Sequence, residues 1–299
     1  MSDVYLHPEM AAILAGGGAA PDYPNMPLAE ARTTFERLAA NWNSAIPALC
    51  ESRDLEIPAA GGFVRARLLR PTLERNRPVI VFVHGGGWTF GSIDTHRGSM
   101  ARLAIESGAC VLGIDYRRAP EHPYPAAIDD TLDALDAVRA GLLGDAVDPS
   151  RIGLAGDSAG AGISLGVLTA ARGRTRLRAA ALFYGCYAPV FDTPSHAAFG
   201  GGAYLLTTAR MRWYWANWRG PAPLPDLAGL PPLYLNAAGL DPLRDESFDF
   251  ARVLGEAGND VRFDLFAGVC HGFMQMSAKL EPARTAHRAA GRFFAEKLQ

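Results

Sequence analysis

The chain has 299 residues, and its 29 Lys and Arg against 31 Asp and Glu give a formal net charge of −2. This length accommodates one large α/β domain with some additional helices. The near-neutral charge gives no support for a surface that binds nucleic acid or an anionic membrane, and the hydrophobic content of 49% is typical of a well-buried core.

The N-terminal 20 residues lack the basic region and the long apolar core of a signal peptide. No run of the sequence is long and apolar enough to span a bilayer. We therefore expect a cytoplasmic protein without stable membrane insertion. The cysteines are far apart and match no metal-binding or C-x-x-C spacing, so we expect no metal site. They are Cys50, Cys110, Cys186 and Cys270.

The first 50 residues have a helical pattern. Residues 10–15 predict a short helix, and residues 27–46 carry an apolar stripe at helical spacing. Between them, residues 16–27 contain three glycines and three prolines and predict a flexible connector. Such a stripe packs in a core more often than it binds a ligand, and we interpret it as a packing face.

The first strands lie on either side of a Gly-Gly turn. Residues 55–57 and 63–69 have strand character around Gly61 and Gly62, which predicts an antiparallel hairpin at a sheet edge. Residues 79–83 then form a continuous apolar, β-branched run. Such a run is typical of a central strand that is covered on both faces.

Three consecutive glycines follow this central strand, in the sequence His-Gly-Gly-Gly-Trp at residues 84–88. Glycines at such a position leave backbone N–H groups free to face a ligand. The functional interpretation is an oxyanion loop that His84 braces. The alternative is a merely flexible turn.

Strands and helices alternate through the remainder of the chain, which is typical of a mostly parallel sheet with helices on both faces. Catalytic groups of such folds lie in loops at the carboxyl ends of strands. The strand at residues 261–266 is a candidate sheet edge that could pair across a two-fold axis in a homodimer. Helices are predicted at residues 95–107, 126–140, 242–257 and 281–298, and strands at residues 110–114, 179–184, 233–238 and 261–266.

Residues 156–160 carry the sequence Gly-Asp-Ser-Ala-Gly. A short apolar run at residues 152–155 precedes it and a run of small residues follows, so the pattern predicts a nucleophile elbow between a strand and a helix. The flanking glycines lack the Cβ atoms that would collide there. Ser158 would then be lifted out at a helix N-terminus, with the Ala159 N–H beside it. The alternative is a Gly-rich turn with a solvated serine.

Residues 187–225 interrupt the alternation. A helix is predicted to begin near residues 207–208, and its large apolar side chains fall on one face. This face either docks the helix on the body or forms part of the roof of an apolar substrate pocket. The large apolar residues of this face are Met211, Tyr214, Trp215 and Trp218.

A serine hydroxyl is a poor nucleophile at neutral pH and needs a base that a third group orients. Two later loops that follow predicted strands contain an acid, Asp241, and a base, His271. The order Ser158, Asp241, His271 is that of α/β-hydrolases. We therefore predict that these three residues form a catalytic triad.

The other candidate residues are weaker. Asp245 and Asp249 fall within a predicted helix and Asp264 within a strand, where a solvated charge is expected. Asp157, beside the nucleophile, is expected to have only a supporting role. None of the remaining histidines lies in a catalytic motif, and these are His7, His96, His122, His196 and His287.

Five motifs in this order resemble those of the hormone-sensitive-lipase-like family of esterases, and the microbial carboxylesterases of that family in particular. The resemblance runs from about residue 55 to the C-terminus, and loosely through the N-terminal helices. The motifs lie at residues 84–88, 115–123, 156–160, 241–245 and 271–273.

The resemblance implies an α/β-hydrolase fold whose catalytic domain comprises residues 51–186 and 226–299. It implies a small helical cap built from residues 1–50 and the insertion at residues 187–225. By position, it also implies oxyanion donors from the backbone of Gly86, Gly87 and Ala159. Members of the family hydrolyse small-molecule esters, mainly with short or medium acyl chains, and need no cofactor.

Four features depart from the family's usual residues. Arg118 replaces a common leucine, Ala161 a common glycine, and Gly185-Cys186 a common proline-containing turn, and Cys270 beside the base is unusual. None occupies a triad position. They therefore concern the shape of the pocket and the substrate rather than the reaction.

The sequence thus predicts a serine carboxylesterase that works through an acyl-enzyme, with three alternatives. An amidase or formamidase would use the same triad, and matched ester and amide substrates discriminate it. A non-catalytic small-molecule receptor would have lost the base that His271 supplies. A lipase acting at an oil–water interface would carry a long amphipathic lid, which is not evident.

Overall fold

The computed structural model describes residues 4–17, 21–43, 45–220 and 226–299. The strands of this part of the chain form one sheet of eight. In chain order they are β1 (Glu51–Ala59), β2 (Gly62–Arg70), β3 (Arg77–Val83), β4 (Cys110–Asp115), β5 (Val147–Asp157), β6 (Ala179–Phe183), β7 (Leu233–Leu240) and β8 (Val261–Cys270).

The strands lie side by side in the order β1-β2-β4-β3-β5-β6-β7-β8. The first two form the predicted antiparallel hairpin, and β2 pairs antiparallel with β4. Every later pair is parallel. The predicted α/β class with a mostly parallel sheet is therefore confirmed. β8 is an edge strand, and it continues past residue 266 to Cys270, so that His271 directly follows its carboxyl end.

Helices cover both faces of the sheet, as predicted. α4, α5 and α8 contribute side chains to one buried cluster, whereas α3 and α9 contribute to the other. The helices of the described residues are α1 (Pro8–Gly16), α2 (Leu28–Ala40), α3 (Arg97–Ser107), α4 (Ala126–Arg139), α5 (Ala159–Ala170), α6 (Pro194–Phe199), α7 (Thr208–Trp218), α8 (Arg244–Glu256) and α9 (Glu281–Lys297).

The side chains of β3 alternate between the two clusters. Val79, Val81 and Val83 belong to one of them, and Ile80 and Phe82 belong to the other. This follows because successive side chains of a strand point to opposite faces of the sheet. Both faces are covered by helices, and this explains why the run contains no polar residue.

The N-terminal helical stripe is interrupted before residue 46. α2 ends at Ala40 and a 3₁₀ turn, Asn41–Asn43, follows. The Asn43 side chain accepts a hydrogen bond from the Gly98 N–H (2.8 Å) and donates one to the Asp94 carbonyl (2.9 Å). These bonds hold the chain against the start of α3. The predicted helix therefore continues beyond Ala40 only as this 3₁₀ turn, residues 45 and 46 are not helical, and residue 44 lies outside the described residues.

Two helices lie in the described part of the insertion, residues 187–220. α7 begins at Thr208, as predicted, and the Thr207 hydroxyl accepts a hydrogen bond from the Arg210 N–H (3.0 Å) at its N-terminus. α6 was not predicted, because it is a short helix within a Gly- and Ala-rich segment. Its N-terminus is capped by the Thr193 hydroxyl.

All four cysteines are free, and Cys110, Cys186 and Cys270 are buried. Over the described ranges, no helix is both long enough and apolar enough to cross a membrane. Over the same ranges, no three His, Cys, Asp or Glu side chains are grouped so that they could hold a metal ion.

Candidate active site

Ser158 lies at the sharp turn between β5 and α5. Its backbone adopts φ 54° and ψ −121°, a conformation that a residue with a Cβ rarely adopts. The turn is held by a hydrogen bond from the Ser158 N–H to the Phe183 carbonyl (2.9 Å). A Cβ on Gly160 would overlap the Val83 carbonyl oxygen, and one on Gly156 would overlap the Gly160 carbonyl. Both flanking glycines are therefore required by close backbone contacts.

We expect Gly160→Ala to destabilise the fold by about 1–3 kcal/mol or more, because overpacking against backbone atoms cannot be relieved by a rotamer change. The matched control is Gly255→Ala in α8, where a Cβ would meet no atom within 4 Å. That change should be neutral or stabilising by up to about 1 kcal/mol. Urea unfolding of both variants measures the two effects. Equal stability of the two variants would contradict the close-contact argument.

The predicted nucleophile, base and acid form a continuous hydrogen-bonded chain. His271 Nε2 lies 2.8 Å from Ser158 Oγ, and His271 Nδ1 lies 2.7 Å from Asp241 Oδ2. Asp241 is buried, and its second oxygen, Oδ1, accepts a hydrogen bond from the Leu243 N–H (2.9 Å). The carboxylate is thus fixed on both oxygens. These three side chains come together at the carboxyl ends of β5, β7 and β8.

The glycine loop after β3 is folded into a tight turn. Gly86 (φ 119°) and Gly87 (φ 60°) have positive φ angles, and the Gly86 carbonyl accepts a hydrogen bond from the Phe90 N–H (2.8 Å). Within the described residues, the N–H groups of Gly86 and Gly87 donate to no acceptor. The same holds for the N–H of Ala159, the first residue of α5. These three donors are available to a ligand.

Asp157 holds the start of this loop in place by hydrogen bonding. Its Oδ1 accepts a hydrogen bond from the Gly85 N–H (2.9 Å) and lies 3.3 Å from His96 Nε2, and its Oδ2 accepts a longer bond from the Tyr184 hydroxyl (3.4 Å). Burial alone would raise the pKa of Asp157, but His96 and the Gly85 N–H outweigh it and lower that pKa. The contact between His96 and Asp157 could not be predicted from the sequence, because no local pattern indicates a contact between residues 61 positions apart (157 − 96).

His84 also contacts the loop, as predicted. Its Nδ1 lies 2.8 Å from the Gly85 carbonyl oxygen, and its ring stacks on Tyr116 at 4.3 Å. Burial lowers the pKa of His84 to about 3. The imidazole is therefore neutral at physiological pH, and Nδ1 donates to the carbonyl.

Glu246, in the first turn of α8, is a second residue that was missed. Its Oε1 accepts hydrogen bonds from the backbone N–H groups of Tyr187 and Ala188 (2.6 Å for Ala188), where the insertion leaves the sheet. Its Oε2 is buried without a partner among the described residues. Burial, opposed by the two N–H donors and assisted by Asp241, raises the pKa of Glu246 to about 8. A neutral carboxyl therefore anchors the start of the insertion.

Replacing Glu246 by Gln should make the free energy of unfolding less dependent on pH. The pKa is about 8 in the folded state against an ordinary value of 4.5, so the folded protein holds the extra proton between these limits. The free energy of unfolding of the wild-type protein then falls by roughly 1.4 kcal/mol per pH unit as the pH rises from about 4.5 to 8. The Gln variant lacks this loss, and its Tm should rise relative to wild type over that window. Glu256→Gln, at an exposed residue paired with Arg252, is the control. A constant Tm difference between wild type and Glu246→Gln would contradict the assignment.

The triad opens into a cleft of about 1140 Å³. Side chains from α1, α2 and α7 line it, together with Gly86, Gly87, Ser158 and His271. The apolar face of α7 both docks the helix and lines this cleft. Its residues Met211 and Tyr214 line the cleft, whereas Trp215 and Trp218 pack against Trp88 (ring centroids 4.7 and 5.2 Å) and dock the helix.

Two thiols lie near the triad. Cys186 Sγ is 3.8 Å from Ser158 Oγ, and burial raises the pKa of Cys186 well above its ordinary value. Burial and the neighbouring Asp241 raise the pKa of Cys270 to about 12. Both groups are therefore protonated thiols, which are weak nucleophiles compared with thiolates.

Comparison with known proteins extends over nearly the whole chain. A family model described as an alpha/beta hydrolase fold matches residues 80–275. The chain is 34% identical to the carboxylic ester hydrolase LipN of Mycobacterium tuberculosis over 75% of this chain, an alignment that spans only 64% of that relative's length. It is 32% identical to an ethyl acetate hydrolase of Pseudomonas putida, over 93% of this chain and 95% of that one. The solved structure of the Pyrobaculum calidifontis esterase matches with a TM-score of 0.91 and 32% identity, over 97% of this chain and 98% of that one.

Proposed function

The chain belongs to the alpha/beta hydrolase fold family, and we propose that it is a serine carboxylesterase for esters with short to medium acyl chains. The membership agrees with the resemblance to hormone-sensitive-lipase-like esterases. Relatives along most of the chain are named as ester hydrolases, which supports the reaction class. The observation that carries the mechanism is the hydrogen-bonded chain from Ser158 through His271 to Asp241.

In the proposed reaction, Ser158 Oγ attacks the ester carbonyl carbon while His271 Nε2 accepts the hydroxyl proton. Asp241 accepts the hydrogen bond from Nδ1 of His271, which holds the required tautomer and stabilises the imidazolium. His271 then gives its proton to the departing alcohol oxygen, and the acyl group stays on Ser158. A water molecule, activated by His271, cleaves the acyl-enzyme, releases the carboxylic acid and restores Ser158.

The oxyanion of each tetrahedral intermediate would be stabilised by backbone donors. We assign this role to the N–H groups of Gly86, Gly87 and Ala159. This assignment is supported by the observation that the three N–H groups donate to no acceptor in the described part of the chain. Asp157 and His84 act on the loop that carries two of them, because Asp157 binds the Gly85 N–H and His84 binds the Gly85 carbonyl. Fixed donors of this kind need no reorganisation as charge develops.

The proposed acyl range rests on two observations. A relative that aligns over 95% of its length is named for ethyl acetate, an ester with a two-carbon acyl group. The cleft volume of about 1140 Å³ exceeds the space that such an ester needs, which leaves room for a medium chain under the cap. We propose that residues 1–50 and 187–225 form this cap.

Initial rates on p-nitrophenyl esters from acetate to palmitate test the function. We expect kcat/KM to be highest for short or medium chains and to fall for palmitate, because the cleft is finite. The matched anilides test the amidase alternative. Folded protein that cleaves no ester but cleaves the anilides would contradict the esterase assignment. A rate that jumps when the substrate exceeds its solubility would indicate an interfacial lipase instead.

A homodimer formed through β8 is a separate proposal. β8 is an edge strand, and Leu265 on it is 46% exposed. Light scattering of wild type and a Leu265→Lys variant measures it. The variant should be monomeric if this edge pairs across a two-fold axis.

A further inference from the structure

The charged side chains that line the cleft are mostly cationic. They include Arg37, Arg210 and Lys279, and none of these has a carboxylate within 4 Å among the described residues. Glu9 also lines the cleft, but its carboxylate accepts a hydrogen bond from the Glu281 N–H (2.6 Å) and is directed to α9. Asp157, the other acid of the lining, is neutralised by His96. The cationic side chains of the lining therefore outnumber its carboxylates, and none of the three cations is paired with one among the described residues.

Arg210, near the start of α7, is the most rigidly held of these cations. Its guanidinium donates to the Pro21 carbonyl (2.9 Å) and, more weakly, to the Leu205 carbonyl (3.4 Å). The guanidinium carbon lies 4.9 Å from the centroid of the Tyr23 ring, in a cation–π contact. These contacts use two of the five N–H donors. Arg210 is thus preorganised, and the described residues leave most of its donors unused.

Two phenols adjoin this guanidinium. Both Tyr23 and Tyr214 line the cleft, and neither hydroxyl has a hydrogen-bond partner in the described ranges. Tyr214 is four residues after Arg210 on α7, so the two side chains lie on the same face of the helix. Burial raises the pKa of each phenol, and the positive charge of Arg210 opposes that rise in both. Arg37 acts on Tyr23 in the same direction. Two O–H donors and a guanidinium form a set that suits a carboxylate.

This set is close to the reacting centre. The ring of Tyr214 packs directly on Gly87, where an added Cβ would overlap the ring. Both phenol rings also contact Phe90 in the turn of the glycine loop, at centroid distances of 4.8 Å for Tyr23 and 5.8 Å for Tyr214. An ester carbonyl at the loop would therefore place a group a few atoms farther along its chain beside Arg210.

We propose that Arg210, Tyr23 and Tyr214 form a carboxylate subsite, so that the preferred substrates are esters that carry a carboxylate a few atoms from the reacting carbonyl. This inference rests on the esterase function proposed above and specifies its substrate class. Half-esters of dicarboxylic acids fit this description, and so do esters of hydroxy acids. Arg37 and Lys279 add long-range attraction for the same charge.

The test compares substrates that differ in the carboxylate alone. Monoethyl adipate carries a carboxylate at the end of its six-carbon acyl chain, and ethyl hexanoate has an acyl chain of the same length without it. The pair 4-(2-carboxyethyl)phenyl butyrate and 4-propylphenyl butyrate does the same on the alcohol side, where two methylene groups insulate the phenolate leaving group from the carboxylate. In wild-type protein we expect kcat/KM to be higher for the acidic member of at least one pair. Raising the ionic strength from about 0.01 M to about 1 M should reduce this ratio, because the Debye length falls from about 30 Å to about 3 Å.

Three variants locate the effect. Arg210→Gln should lower the acidic-to-neutral ratio of kcat/KM by about tenfold or more, since a hydrogen bond to a charged group is lost. Arg210→Lys keeps the charge and should retain part of the preference. Tyr23→Phe keeps the ring beneath Arg210 and should lower the ratio by about threefold. The control is Arg212→Gln on the same helix, because Arg212 lies over the Phe191 ring and does not line the cleft.

Neutral esters separate this inference from the esterase function. Wild-type protein that cleaves the neutral esters with no preference for either acid overturns the subsite and leaves the esterase function standing. An equal ratio in Arg210→Gln and wild type also overturns it, and would mean that Arg210 only ties Pro21 to α7. Folded protein that cleaves none of the four esters overturns the esterase function instead.

Discussion

Replacing Ser158 by Ala is expected to lower kcat by a factor on the order of 10⁶, by analogy with serine proteases that lose this hydroxyl. The physical reason is that Ser158 Oγ is the hydroxyl that His271 Nε2 contacts, at 2.8 Å. The loop donors and the cleft remain in the variant, so some rate enhancement over water should persist. Stability should change little, because the turn strain belongs to the backbone. Burst and steady-state kinetics on p-nitrophenyl butyrate measure the loss.

Cys186→Ala is the matched control for this prediction. Its sulfur lies 3.8 Å from Ser158 Oγ, so it is a second potential nucleophile beside the proposed one. Burial keeps this thiol protonated, so its removal should leave most of the activity. A Ser158→Ala protein that kept a tenth of the wild-type kcat would contradict the proposed mechanism. Loss of activity in Cys186→Ala alone would assign the nucleophile to the thiol.

Much of the fold could be predicted because it depends on local patterns. The apolar run of β3 and the alternation of strands and helices are periodic features within short windows. The site residues that lie in motifs could be predicted for the same reason. Ser158 sits between two glycines whose Cβ atoms would overlap backbone, and Asp241 and His271 each follow a strand directly. Strand ends that converge at one edge of a parallel sheet bring such loops together.

The residues that could not be predicted act through contacts between distant parts of the chain. His96 reaches Asp157, and Glu246 reaches the backbone of Tyr187 and Ala188, with no neighbouring residue that signals either contact. Arg210 and Pro21 are 189 positions apart in the sequence and meet where α7 contacts the N-terminal segment beside the cleft. Such contacts depend on how helices pack on the finished sheet, and the hydrophobic period does not encode that packing.

Replacing Asp241 by Asn is expected to lower kcat by about 10⁴, the loss that the same change causes in serine proteases. The geometry of this site gives the reason. Asp241 Oδ1 accepts the Leu243 N–H (2.9 Å), so an Asn would keep its carbonyl oxygen there and turn its NH₂ group towards His271 Nδ1. An imidazole that accepts at Nδ1 carries its proton on Nε2. It could not then accept the proton of Ser158.

The matched control for this change is Asp245→Asn, four residues along the chain. Asp245 pairs with Arg244 and accepts the Ser195 N–H (2.8 Å), and it does not contact His271. It has the same charge and lies in the same loop-to-helix region, so it controls for net charge and for local stability. We expect Asp245→Asn to retain most of the wild-type kcat on p-nitrophenyl butyrate. A misoriented base should lower kcat by far more than tenfold. A similar loss in both variants, or a loss below tenfold in Asp241→Asn, would therefore mean that the carboxylate of Asp241 stabilises the fold and does not orient the base.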